Sequence, residues 1–79
     1  MRAGTVVGIQ IMPEEIRMTL ENNRDYGRES TVTIHRGFDP KIGDEVWTQS
    51  DLALITRKGQ FSDLKLPILR RDWTGKIIN

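Results

Sequence analysis

The chain has 79 residues, with 12 Lys and Arg against 11 Asp and Glu, a net charge of +1 and no cysteine. That length holds one small domain, and 37% hydrophobic with 29% charged residues describes a globular chain rather than a disordered one. The absence of cysteine excludes disulfides, thiolate nucleophiles and thiolate zinc sites, and no apolar run approaches the ~18 residues of a membrane helix.

Thr5 to Met12 alternates β-branched residues with others and reads as a strand, with Gly8 marking a bulge. Pro13 cannot donate to a ladder and ends it. Residues 14–22 admit two readings. Pro13, Glu14 and Glu15 are good helix-start chemistry. Yet Ile16, Met18 and Leu20 recur every second residue, and at ~100° per residue a helix puts Met18 on the wrong side from Ile16. The strand reading leaves no residue misplaced and is preferred, with a helix over 14–22 as the minor alternative.

Asn22 to Ser30 is turn chemistry. Thr31 to His35 resumes alternation, so the two runs form a hairpin with a long polar tip. A loop with Gly37, Pro40 and Gly43 leads to a short strand over Glu45–Gln49, a turn at Ser50–Asp51, and a strand over Leu52–Thr56 that is apolar on both sides and so central. Lys58–Gly59 reads as a turn. Leu64 to Leu69, interrupted by Pro67, reads as an edge strand or an extended segment. Trp73–Thr74–Gly75 reads as a turn before a last short strand at 76–78. Many short strands between turns predict an all-β domain, a barrel or strongly curled antiparallel sheet of five to six strands.

Ile42-Gly43-Asp44-Glu45-Val46-Trp47 resembles the strand opening of SH3-like small barrels, and Leu54-Ile55-Thr56-Arg57-Lys58-Gly59 resembles the following hairpin arm. The resemblance covers about a quarter of the chain and implies a fold class alone. RNA-cleaving toxins built on such barrels carry a comparable stretch near their start. Here it lies mid-chain, and no catalytic residue is carried over.

The chemistry-bearing residues are sparse. His35 is the sole histidine, and no nucleophile-elbow motif surrounds Ser30, Ser50 or Ser62. Asp39, Asp44, Glu45 and Asp51 lack calcium-loop spacing and fit turns better. Gly4 and Gly8 make no phosphate cradle. No catalytic residue, metal, cofactor or small-molecule substrate is therefore expected, and the chain is read as no enzyme.

Two binding readings remain. The preferred one is a protein-binding or self-assembling module using Trp47, Ile68, Leu69, Arg70 and Trp73. Trp47 shares its face with Glu45 and Gln49 if Val46 points inward, and aromatic anchors dominate interfaces. Self-association is also the remaining staple for so small a chain without disulfides. The alternative is nucleic-acid binding by Arg57, Lys58, Phe61, Arg70, Arg71, Trp73 and Lys76, where cations neutralise phosphates and aromatics stack on bases. Its near-neutral net charge speaks against it. The N-terminal stretch lacks a signal-peptide core, so a cytoplasmic location is expected, with an accessory, inhibitory or assembly role of a phage or microbial kind.

Overall fold

The computed structural model describes residues 2–22, 28–57, 60–61 and 65–77. These form seven strands: β1 (Arg2–Ile11), β2 (Glu15–Asn22), β3 (Arg28–His35), β4 (Glu45–Gln49), β5 (Leu52–Arg57), β6 (Gln60–Phe61) and β7 (Leu66–Ile77). Every pairing is antiparallel, in the order β4-β1-β2-β3-β7-β5, and β5 pairs back onto β4. The result is a closed six-stranded barrel of the small SH3-like kind, with β6 appended to β5 as a hairpin.

Two long strands close the ring by serving both sides of it. Residues 2–5 of β1 pair with β4, and residues 5–11 pair with β2. Residues 66–67 of β7 pair with β5, and residues 68–77 pair with β3. A strand that changes partners must bend, and bulges supply the bend. In β1, Val6 lies opposite Leu20 and Gly8 opposite Thr19, so Val7 is the extra residue, as Gly8 predicts. In β7, Ile68 lies opposite Ile34 and Arg70 opposite Thr33, which makes Leu69 the extra one. Gly4 sits where β1 leaves β4, with φ at +150°, and a Cβ there would stand 2.7 Å from the Glu21 carbonyl oxygen. Backbone approach that close requires glycine.

Residues 14–22 settle as strand. Ile16, Met18 and Leu20 are buried on one side, while Glu15, Arg17, Thr19 and Glu21 are half-buried on the other. Pro13 and Glu14 make a two-residue connection, and the Met12 amide donates to the Glu15 carbonyl at 2.9 Å. The interior is completed by Val6, Val32, Ile34, Val46, Ala53 and Ile55. Each large side chain so buried contributes about 1.5–3 kcal/mol.

The C-terminal third differs from its sequence reading. The turn expected at Trp73–Gly75 and the separate strand at 76–78 are replaced by one continuous strand through Ile77. β3 provides the reason, because its ladder continues beside β7 from Ile34 to Arg28. The local turn chemistry survives only as a register irregularity between Arg28 and Ser30. Ile78, the hairpin tip at 23–27 and the Lys58–Gly59 turn lie outside the described residues.

Candidate functional site

Strand alternation sorts the side chains onto two outer faces. On β4, Val46 and Thr48 are buried, so Glu45, Trp47 and Gln49 turn outward. On β5, Ala53 and Ile55 are buried, so Leu52 and Leu54 turn outward. Trp47 lies directly opposite Leu54, Gln49 opposite Leu52, and Leu52 opposite Pro67 of β7. Trp47, Leu52 and Leu54 are half-buried and Pro67 is exposed. Leu69 is half-buried at the bulge of β7. Antiparallel sheets normally turn polar residues outward. Here a tryptophan, two leucines and a proline stand as neighbours on the outside.

Trp47 is thus an outward but half-buried residue, its indole Nε1 buried, with Arg2 on its other flank. The Arg2 guanidinium donates to Thr5 Oγ1 at 2.8 Å and lies 3.7 Å from the Glu45 carboxylate. Ile68 sits differently: it packs against the core, opposite Ile34. Its apolar surface serves the barrel interior.

The face formed by β1, β2, β3 and β7 is polar. One row across it runs Gln10, Arg17, Thr33, Arg70, and the next runs Gly8, Thr19, Thr31, Asp72. Arg70 pairs with the Glu15 carboxylate. His35 lies exposed at the end of β3, opposite the same Glu15. Arg71, the next residue on β7, lies opposite the core residue Val32 in register but is itself exposed. Its Nη1 lies 3.4 Å from Thr48 Oγ1 on β4.

Of the basic and aromatic residues singled out from the sequence for nucleic-acid binding, only Arg57, Arg70 and Arg71 have described side chains. Arg70 and Arg71 alternate between faces. Arg57, at the end of β5, grips Asp44 with Nε at 2.9 Å and Nη2 at 2.8 Å. The structure describes no side chain for Phe61, Trp73 or Lys76, and Lys58 lies outside the described residues altogether.

Asp44 ties a knot. Its carboxylate is buried, accepts the Lys41 amide at 2.8 Å and takes both Arg57 bonds. Its carbonyl accepts the Val6 amide at 2.8 Å, and the Gly43 amide donates to the Val6 carbonyl. The Arg57 hydrogen bonds hold the Asp44 carboxyl below the usual carboxylate range and outweigh the opposing effect of burial. A shallow groove of about 320 Å³ lies here, lined by Lys41, Ile42, Gly43, Asp44 and Arg57. Its charges are already matched, because Lys41 pairs with Asp39 at 2.7 Å as Arg57 does with Asp44.

The acidic residues in this stretch diverge toward separate cations: Asp39 to Lys41, Asp44 to Arg57, Glu45 to Arg2. Among the described residues no three potential ligands gather to hold a metal, and no helix is long and apolar enough to cross a membrane. Comparison with protein-family models, curated proteins and solved structures found no match.

Sequence reasoning missed two residues of interest. Leu54 reads as a central-strand residue, and only its register opposite Trp47 reveals the apolar pair. Arg17 attracts no attention in the sequence. Its signal is present nonetheless, since the alternation around Met18 already turns it outward.

Proposed function

We propose that this chain is a non-enzymatic interaction module that docks a protein partner, in the first instance a second copy of itself, through the outer face of β4 and β5. The observation that carries the reading is the registered set Trp47, Leu54, Leu52 and Pro67 on the outer side of a sheet, the first three half-buried and Pro67 exposed. A flat aromatic flanked by aliphatic neighbours fits the core of a protein interface, and Glu45, Gln49 and Arg2 fit its polar rim. A second copy matches because an apolar face meets itself across a two-fold axis without any further complementarity. The alternative, nucleic-acid binding, draws less support: Arg57 and Arg70 already serve Asp44 and Glu15.

The test is sedimentation velocity from micromolar to millimolar protein, for the wild type and for Leu54→Glu. The wild type is expected to gain mass with concentration and the variant to stay monomeric. The reading fails if the wild type stays monomeric throughout and a nuclease-treated lysate contains no protein retained by the wild type but not by Leu54→Glu. Retention that disappears with nuclease or with salt supports the nucleic-acid alternative instead.

A further inference from the structure

β1 outruns β4. Residues 2–5 of β1 pair with β4, and Val6 meets the turn that precedes it: the Val6 amide donates to the Asp44 carbonyl, and the Val6 carbonyl accepts the Gly43 amide. The Asp44 amide donates to the Lys41 carbonyl, so the chain turns away there. Beyond Val6, β1 pairs with β2 alone among the described residues. The register tells which backbone groups are left over. The Met12 amide donates to the Glu15 carbonyl on β2. Backbone groups along an antiparallel strand alternate in direction, so Gln10 and Gly8 also bond toward β2, while Ile9 and Ile11 point away from it. Their two amides and two carbonyls meet no described backbone group. Four such groups in line form an open lane, a template for one more strand.

The side chains around the lane select the strand that fits. Val7, Ile11 and Ile42 are the large apolar residues exposed among those described, at 42%, 62% and 62%. All three stand here: Val7 and Ile11 on this stretch of β1, and Ile42 next to the Gly43 that bonds Val6. Residues 7–12, Val-Gly-Ile-Gln-Ile-Met, carry no charge. Edge strands are normally protected by a charge or a proline, and this one has neither before Pro13. A second copy of β1 fits poorly. Two-fold pairing about Gln10 exchanges bonds between Ile9 and Ile11, but it brings the copy's Pro13 and Glu14 toward Val7 and Ile42, a charge against an apolar end. We propose that this edge of β1 takes up an uncharged, aliphatic extended segment of a different protein, which continues the direction of β4 and bonds to Ile9 and Ile11. Trp47 flanks the other half of β1, opposite Arg2, so the lane is a second surface, independent of the β4–β5 face.

The experiment titrates ¹⁵N-labelled protein with a capped threonine–valine–threonine–valine–threonine peptide and follows the Ile9 and Ile11 amides. Saturable shifts in the millimolar range are expected at both, with slower hydrogen exchange. The same peptide N-methylated along its backbone, and one with lysine in place of valine, are each expected to bind at least about tenfold more weakly. Ile11→Pro removes one outward amide and leaves the bonds to β2 in place, and it is expected to weaken binding about tenfold. Ile11→Lys, at an exposed side chain, is expected to do the same and carries the comparison if the proline variant fails to fold. The proposal is overturned if Ile9 and Ile11 show no saturable shift, if either altered peptide binds like the parent, or if both variants respond like the wild type. It is equally overturned if those two amides shift on dilution of the protein alone, which makes a second copy the occupant. Trp47 and Leu54 report on the β4–β5 face in the same spectra, so failure of one site is read separately from failure of the other.

Discussion

The two outer faces of this barrel obey the same alternation and end with opposite chemistry. Across β1, β2, β3 and β7 the outward positions are Gln10, Arg17, Thr19, Thr31, Arg70 and Asp72, the usual polar side of an antiparallel sheet, with Thr33 buried in their midst. Across β4 and β5 they include Trp47, Leu52 and Leu54. Since the interior is already filled by residues such as Val46, Ala53 and Ile55, the second set is surplus to the core. Apolar residues beyond what the core needs mark a surface built for contact.

The largest effect is expected at Asp44, which ties β1 to the end of β5. Asp44→Ala removes the acceptor of Arg57 and of the Lys41 amide and is expected to cost about 2 kcal/mol, read by urea denaturation. The folded carboxyl lies below the ordinary aspartate value of 3.8, so its stabilisation is fully present above that pH and is lost as pH falls through the folded value. The stability gap between wild type and Asp44→Asn is therefore expected to narrow on acidification below 3.8. Gly4→Ala comes next. Its Cβ meets the Glu21 carbonyl, and β1 must shift where it passes between faces, at a cost of about 1–3 kcal/mol.

The faces themselves then separate. Leu54→Glu is expected to lower stability by about 1 kcal/mol while abolishing self-association, whereas Thr31→Glu on the polar face changes neither by more than about 0.5 kcal/mol. Arg17→Met keeps the aliphatic stem and removes the buried Nε that has no acceptor. Its melting temperature is expected to equal or exceed that of the wild type, which a loss of stability would contradict. Smallest of all is His35→Gln, within about 0.5 kcal/mol, because the ring is exposed at a strand end.

Much of this architecture was legible in the sequence because period-two alternation survives any tertiary context. Ile16, Met18 and Leu20 identified β2 despite helix-start chemistry at Pro13 and Glu14, and Gly8 marked the bulge that bends β1. The continuity of β7 was not legible. Trp73–Gly75 carries turn chemistry, and a distant partner, β3, overrides it. The candidate surfaces were legible by face and not by composition. Alternation placed Trp47 beside Glu45 and Gln49, but its pairing with Leu54 depends on inter-strand register. The run Arg70-Arg71 looked like one basic patch, although neighbours on a strand point to opposite sides. Whether a cation is free also depends on long-range partners: Arg57 finds Asp44, Arg70 finds Glu15, and Arg17 finds none among the described residues.

The most direct test of the contact-surface account is a dilution series of amide spectra from millimolar to micromolar protein. Shifts that change with concentration are expected to cluster at Trp47, Leu52, Leu54 and the start of β7, and to vanish in Leu54→Glu. Concentration-dependent shifts confined to the polar face, around Thr19 and Thr31, would contradict it.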